Sequence, residues 1–138
     1  MLNKKGQGVT LTEVLVVMLI IAILAALALP QFAATRERAL SKEAKANLKL
    51  IDAAEKIYRM ENAIYYPYAA GQVDDPATIN DKLKLSISET NWNYSLVGDG
   101  SGGTYSAYAN RSGTGGYYDC EYSLNSSGGD PTGNSNCP

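Results

Sequence analysis

The chain contains no histidine among its 138 residues. Histidine is the usual general base near neutral pH and a frequent metal ligand, so its absence argues against Cys/His zinc sites and against most side-chain acid–base chemistry. No GxGxxG segment opens a helix and no GxxxxGK[ST] loop occurs, so neither common phosphate-binding loop is predicted. The carboxylates are scattered without a pairing pattern. We therefore predict that the protein is not an enzyme and carries no cofactor.

Cysteine is scarce, with only Cys120 and Cys137 present. Their spacing does not fit a CxxC redox pair, and without histidine it does not fit a Cys/His zinc site. In an exported or membrane-attached chain, an isolated pair of this kind is typical of a disulfide. The bond would hold down a tail rich in Gly, Ser and Asn, and would contribute about 3 kcal/mol in the loop-entropy model.

Basic residues are few in the C-terminal part of the chain. From residue 63 onward there are three basic and eight acidic residues. Nonspecific nucleic-acid binding requires clustered Lys and Arg, so no nucleic-acid site is predicted. Asp99, Asp119 and Asp130 lie in or near loops, but no D-x-[DN]-x-[DN]-G pattern occurs. No metal site is predicted either.

The most informative feature that is present is a run of sixteen apolar residues, Val14 to Leu29, with Glu13 directly before it and Lys4 and Lys5 further upstream. A helix over residues 9–29 would be ~31 Å long at 1.5 Å per residue, which matches the hydrocarbon thickness of a bilayer. The positive-inside rule then places the N-terminus in the cytoplasm. A charged side chain near a bilayer centre costs roughly 3 kcal/mol, so we expect the carboxylate to have a partner.

Three interpretations of this N-terminus are open. A secretory signal peptide would be cleaved after Ala26-Leu27-Ala28, but its apolar run is longer than usual and Glu13 would have no use. A single-pass anchor explains the length of the run and not the carboxylate. The third interpretation is a helix that leaves the bilayer and packs against copies of itself, with Glu13 neutralised by a neighbour.

The residues Gly8-Val9-Thr10-Leu11-Thr12-Glu13, followed by the apolar run, resemble the prepilin cleavage motif of type IV pilins and type II secretion pseudopilins. The resemblance implies that a prepilin peptidase cuts between Gly8 and Val9 and methylates the new amino terminus. It also implies that Glu13 is a subunit-docking residue, paired with the Val9 ammonium of an adjacent subunit. Pro30 stands where these proteins commonly carry a helix-kinking proline. Val9 and Thr12 depart from the usual phenylalanine and large aliphatic residue.

The same resemblance implies a structural subunit of a type IV pilus. The prepilin would be a single-pass protein of the inner membrane, and the cleaved subunit would join a helical homo-oligomeric filament outside the cell, serving adhesion, motility or DNA uptake. Its partners would be the prepilin peptidase, a membrane assembly platform and inner-membrane lipid before assembly. A pseudopilin of a type II secretion system is the alternative with the same architecture. An exported or membrane-anchored binding domain is the alternative outside it.

We predict an α+β fold in which one long helix packs on a small antiparallel β-meander. The expected segments are a leader (1–8), a hydrophobic transmembrane and filament-core helix (9–30), an amphipathic helix (31–62) and a globular β head closed by the disulfide (63–138). Because proline lacks an N–H and clashes with the preceding turn, the long helix is expected to kink at Pro30.

The second half of the helix carries an apolar stripe with spacings of three and four residues, which predicts packing against the head. Charged residues lie mostly off this stripe and are expected to form a solvated face. The stripe consists of Leu40, Ala44, Leu48, Ile51, Ala54, Ile57 and Tyr58. The charged residues are Glu37, Arg38, Lys42, Glu43, Lys45, Lys49, Asp52 and Glu55.

Three strands with alternating polarity predict the meander, joined by short glycine-rich turns. Ten tyrosines suit half-buried strands of this kind. Before the strands, a loop with one short helix near Pro76–Leu85 is expected. The predicted strands are Trp92–Leu96, Thr104–Asn110 and Tyr117–Leu124, with Tyr118, Cys120, Tyr122 and Leu124 facing inward in the third.

Overall fold

The computed structural model describes residues 8–113, 117 and 119–138, without the side chains of residues 28–30. Most of the predicted leader (1–8) and the inward orientation predicted for Tyr118 lie outside the described residues. The kink predicted at Pro30 lies within residues 28–30, whose side chains are not described. These three expectations stay predictions.

The chain forms two compact units, Met1–Arg36 and Glu37–Pro138. The first unit contains the beginning of helix α1, which spans Leu11–Asn62. The second unit contains the rest of α1, a short helix and a β-sheet. The predicted α+β fold class, with a long N-terminal helix followed by an antiparallel sheet, is confirmed.

Helix α1 ends where the prediction placed its end. Ala63 has a left-handed φ of 64°, and its N–H donates to the carbonyl of Arg59 at 2.8 Å. The Asn62 side-chain amide donates to the carbonyl of Tyr58 at 3.0 Å. These bonds satisfy last-turn carbonyls that have no partner within a helix, so the chain can leave α1 and enter the loop toward the sheet.

The sheet is antiparallel and its five strands follow each other in chain order. Its strands are β1 (Gly71–Val73), β2 (Trp92–Gly98), β3 (Tyr105–Arg111), β4 (Glu121–Asn125) and β5 (Thr132–Gly133). The short helix α2 (Pro76–Leu83) confirms the helix predicted in this region. Asp75 caps its first turn by accepting a hydrogen bond from the Thr78 N–H at 3.0 Å, and Pro76 stands at the first helical position, where a missing N–H costs nothing.

The faces predicted for the two central strands are confirmed. Tyr94 pairs with Ala109 and Leu96 with Ala107, and all four side chains are at most 2% exposed. Their alternation with polar neighbours is what a sheet with one buried face requires. The turn between β2 and β3 needs glycine at Gly102, because φ is +71° there and an added Cβ would lie 2.8 Å from the Cβ of Ile64.

The third predicted strand starts later than expected. Tyr117 lies in a turn that the Cys120 N–H closes on the Tyr117 carbonyl at 3.0 Å, and β4 begins only at Glu121. Two short strands were missed by the sequence reasoning, β1 and β5, which pair with β2 and β4 and form the sheet edges. The sheet is therefore wider than the predicted three-stranded meander.

One face of α1 in the second unit belongs to the same buried core as the sheet. Ala44, Leu48 and Ile51 are fully buried, and they join Trp92, Tyr122 and other sheet side chains in a single hydrophobic cluster. The predicted apolar stripe is thus confirmed in its central part.

The predicted burial is wrong at two positions near the C-terminal end of α1. Ile57 is 54% exposed, whereas Glu55, expected on the solvated face, is 0% exposed. With 3.6 residues per turn, position 55 falls in line with Leu48 and Ile51, while position 57 turns away from them. The buried face therefore runs through a carboxylate.

The disulfide between Cys120 and Cys137 is present. It joins the segment just before β4 to the end of the chain, and Cys120 is 1% exposed. Gly133 in the enclosed tail lies so close to Tyr122 that an added Cβ would meet its ring at 2.6 Å. The tail is thus packed on the sheet by short-range contacts as well as by the covalent bond.

Candidate functional site

The predicted cleavage site lies in non-helical chain immediately before α1. Val9 is 73% exposed, and an added Cβ at Gly8 would meet none of the described residues within 4 Å. Proteolysis concentrates in exposed chain outside regular secondary structure. The Gly8–Val9 bond is therefore sterically accessible to a peptidase.

Glu13 contacts Thr10, the residue that directly precedes α1. Its Oε2 accepts hydrogen bonds from the Thr10 N–H at 3.2 Å and from the Thr10 hydroxyl at 3.1 Å, and the Glu13 N–H donates to the Thr10 Oγ1 at 3.3 Å. This reciprocal arrangement is a capping box, which satisfies N–H groups that have no partner within the helix. The sequence reasoning missed it, although the Thr-x-x-Glu pattern was its signal.

The capping box uses only one of the two carboxylate oxygens. Both Thr10 contacts end on Oε2, and Glu13 is exposed. A cation on another molecule therefore has room to bind the carboxylate while the helix start stays capped. The predicted partner, the amino terminus of an adjacent subunit, belongs to a second chain and stays a prediction.

The described apolar side chains of the first unit are exposed. The large ones between Val14 and Leu27 are 49–69% accessible, on all sides of the helix. A helix that is hydrophobic all round is stable only when lipid or other helices cover it. This segment is therefore a surface for association with something outside the single chain.

By length and hydropathy, no single helix within the described residues meets the criteria for a membrane span. The segments Leu11–Leu27 and Gln31–Asn62 meet them when they are taken together as one interrupted span.

A second exposed apolar surface lies on α1 in the second unit. Its members recur at spacings of four and three residues, and the largest are substantially accessible: Leu50 at 47%, Ile57 at 54% and Met60 at 79%. We call this surface the outer stripe, and it consists of Ala46, Leu50, Ala53, Ile57 and Met60. The sequence reasoning missed it because it assigned Ile57 to the buried stripe, although the same spacing begins at Ala46.

Polar contacts fix the buried face of α1 on the sheet. Arg111, at the end of β3, makes a two-point ion pair with Glu37, with Nη2–Oε1 at 3.2 Å and Nε–Oε2 at 3.3 Å, and both side chains are at most 20% exposed. The Tyr105 hydroxyl donates to Asp52 at 2.7 Å. With the helix held in this way, the outer stripe stays directed away from the sheet.

Two of the three loop carboxylates considered as metal ligands, Asp99 and Asp130, have other contacts. The Asp99 carboxylate accepts the N–H groups of Ser101 at 2.8 Å and Thr104 at 2.9 Å, and these bonds hold its pKa well below the usual range. Asp130 pairs with Lys49 at 2.5 Å. Within the part of the chain that the structure describes, no three His, Cys, Asp or Glu side chains are grouped so that they could hold a metal ion.

The N-terminal segment matches a known family. Residues 3–29 match the family described as the prokaryotic N-terminal methylation motif. The chain carries a prepilin-type N-terminus. The resemblance to type IV pilins and type II secretion pseudopilins that the sequence predicted is thereby confirmed, and the match includes Gly8, Val9 and Glu13.

Two characterised proteins resemble the chain. One is the type IV major pilin protein PilA of Myxococcus xanthus, 40% identical over 67 residues, which is 49% of this chain and 30% of that protein. The other is the type II secretion system core protein G of Pseudomonas aeruginosa, 38% identical over 65 residues, which is 47% of this chain and 46% of that protein. The chain thus matches less than half the length of either relative. No solved structure matches it significantly.

Proposed function

We propose that this protein is the structural subunit of a type IV pilus, which polymerises through α1 into an extracellular filament. The observation that carries the proposal is the exposed apolar surface of α1, all round in the first unit and along the outer stripe in the second. A surface of this size requires lipid or other helices. Identical subunits supply such helices to one another in a helical array.

The proposal divides the chain by role. Residues 1–8 are the leader removed by a prepilin peptidase, 9–30 the segment that lies first in inner-membrane lipid and then in the filament core, and 31–62 the segment that joins this core to the head. The head, 63–138, forms the outer surface of the filament. The prepilin methylation motif at residues 3–29 supports this division at its N-terminal end.

Glu13 has the role of a docking residue in this proposal. Cleavage after Gly8 exposes an α-ammonium at Val9, which a carboxylate of a neighbouring subunit can neutralise. A buried charge left unpaired costs several kcal/mol, so incorporation into the filament is favoured when both charges are paired at once. The capping contact with Thr10 leaves Oε1 accessible for that pairing.

A pseudopilin of a type II secretion system is the second candidate, and the similarity to core protein G supports it. Both candidates need the same processing and the same helix packing, and they differ in the membrane apparatus that assembles the filament. The C-terminal disulfide favours the pilin. The relatives are structural proteins, and no catalytic role is proposed.

The first experiment is N-terminal mass spectrometry of the protein from its native host. We expect a chain that begins at Val9 and carries one added methyl group. A chain that begins near Leu29 would show a discarded signal peptide and would support an exported binding domain instead. Immunogold labelling in strains that lack either pilus or secretion-platform genes would then assign the filament to one apparatus.

A further inference from the structure

The structure holds a buried carboxyl group that the filament proposal does not use. Glu55 lies on the core-facing side of α1 and is 0% exposed. Its Oε2 accepts a hydrogen bond from the Tyr66 N–H at 2.9 Å, and its Oε1 is buried with no hydrogen-bond partner among the described residues. Buried carboxylates ordinarily have several hydrogen bonds or an ion-pair partner.

The Tyr66 contact joins α1 to the loop that leads into the sheet. The neighbouring Tyr65 N–H donates to the Gly102 carbonyl at 2.9 Å, and an added Cβ at Gly98 would overlap the Pro67 carbonyl oxygen, so this loop lies directly against β2 and the turn after it. Glu55 therefore fastens a segment that holds helix and sheet together.

Every element around Glu55 contributes groups that bear on its charge. On α1, Asp52 lies one turn away and carries like charge, although Lys56 pairs with it at 2.6 Å. The Arg59 guanidinium donates a hydrogen bond to the Tyr65 hydroxyl oxygen at 3.0 Å. The loop and β3 present hydroxyl groups, from Tyr65, Tyr66 and Tyr105, and the last donates to Asp52 at 2.7 Å. No cation pairs with Glu55 among the described residues.

Burial and the nearby charge of Asp52 favour the neutral acid over the carboxylate, against the hydrogen bond from Tyr66. Burial raises the pKa of Glu55 from its ordinary 4.5 to about 7, with Asp52 adding to the rise and the Tyr66 N–H opposing it. Burial raises the pKa of the Tyr66 and Tyr105 hydroxyls further above neutrality. With no histidine side chain present, the raised pKa of Glu55 places its titration within the interval from pH 5 to 8.

We propose that Glu55 is a proton-operated lock on the connection between α1 and the sheet, closed when the carboxyl is protonated and weakened when it ionises. The head of the protein is then more stable in mildly acidic than in mildly alkaline surroundings. This lock follows from the contacts within the second unit and does not depend on filament formation.

The direction of the pH dependence follows from proton binding. Between pH 4.5 and 7 the folded state holds a proton on Glu55 that the unfolded chain has released, so the free energy of unfolding decreases as pH rises through this interval and then levels off. From pH 5 to 8 the unfolding equilibrium constant is expected to increase roughly 50- to 100-fold.

The test uses the full chain in neutral detergent micelles. Trp92 is the only tryptophan and is 1% exposed in the head core, so its fluorescence during urea titration reports unfolding of the head. Glu55→Gln retains an acceptor for the Tyr66 N–H and cannot ionise. We expect the unfolding equilibrium constant of this variant to stay the same from pH 5 to 8 and to be lower than that of the wild type at pH 8. The control Glu61→Gln, an exposed carboxylate on the same helix, should keep the wild-type dependence.

A wild-type unfolding constant that does not change from pH 5 to 8, or a Glu55→Gln protein that keeps the wild-type slope, would overturn the lock. If Glu55→Gln does not fold, infrared spectroscopy of the wild type decides instead. The band of protonated carboxyl groups contains contributions from fourteen carboxyl side chains at low pH. A part of this band that persists at pH 6 and disappears with a midpoint near pH 7 supports the proposal. A band that is already lost at pH 6 contradicts it. Protection of the Tyr66 amide from hydrogen exchange, corrected for intrinsic rate, should fall over the same interval.

Discussion

The two parts of α1, Leu11–Arg36 and Glu37–Asn62, have the same secondary structure and place their apolar side chains differently. In the first part the described apolar side chains, from Leu11 to Leu27 and at Phe32, are exposed in every direction, while the second part buries one face with the sheet and keeps a narrower stripe exposed. Helix formation therefore does not decide what a helix packs against. The distribution of charge around it does, because no charged residue lies between Glu13 and Arg36, whereas charged residues recur throughout Glu37–Asn62.

Substitutions in the two parts of α1 are therefore expected to have different effects. Substitutions in the first part are expected to affect association and leave the fold intact. Substitutions in the second part are expected to affect either the fold or association, depending on the face.

The largest effect is expected from Glu13→Ala. It removes the carboxylate proposed to pair with a neighbouring amino terminus, and an ammonium left unpaired on docking costs several kcal/mol, so we expect filament incorporation to fall at least about tenfold. The lost capping box costs only about 1 kcal/mol at the helix start. Sheared filaments and membrane fractions are compared by immunoblot.

The control for this substitution is Thr10→Ala, which removes the capping hydroxyl and retains the carboxylate. If Thr10→Ala assembles normally and Glu13→Ala does not, docking rather than capping accounts for the loss. Normal filament yield from Glu13→Ala, at wild-type levels in the membrane, would refute the docking role.

The next largest effect is expected from a pair of substitutions on the two faces of the second part of α1. Leu48 is 0% exposed and Leu50 is 47% exposed, so the same Leu→Ala change tests a core position and an outer-stripe position. Leu48→Ala should destabilise the head by about 2–5 kcal/mol because it leaves a cavity. Leu50→Ala should change stability by less than about 0.5 kcal/mol. Urea unfolding monitored by Trp92 fluorescence measures both, and equal destabilisation would contradict the assignment of the faces.

The head should also be sensitive to its disulfide. Reduction of Cys120–Cys137, which are separated by 17 residues, is expected to destabilise the tail by about 3 kcal/mol through loss of the chain constraint. Limited proteolysis should then cut after Asn125, while far-UV circular dichroism of α1 stays unchanged. Protease resistance of the reduced tail equal to that of the oxidised protein would show that its packing against Tyr122 suffices.

Features with a repeated pattern could be predicted from the sequence. The length of α1, strands β2 and β3 with their inner faces, and the disulfide were predicted, because each depends on a run of residues or on the only available pair of cysteines. Strands β1 and β5 contain three and two residues. Segments so short have no measurable period, and their pairing depends on neighbours distant in the chain.

The candidate site was predictable only in part. Gly8, Val9 and Glu13 were identified from a local motif, which needs no tertiary information. Glu55 was missed because a charged residue within a charged helix is normally solvated, and its burial depends on where the sheet covers the helix.

The smallest effect on stability, with a definite effect on assembly, is expected at Ile57. Its side chain is 54% exposed, so Ile57→Gln should leave the free energy of unfolding of the head within about 0.5 kcal/mol of wild type. In the proposed filament the outer stripe is covered by other subunits, and a polar amide in an apolar contact costs about 1–3 kcal/mol unless it finds a hydrogen bond. Filament yield should therefore fall several-fold while the unfolding curve stays the same.

The matched control is Arg38→Gln, an exposed charged position on the same helix, for which yield and unfolding should both be unchanged. If Ile57→Gln assembles as well as wild type, the outer stripe is not a subunit contact, and α1 would associate only through its first part.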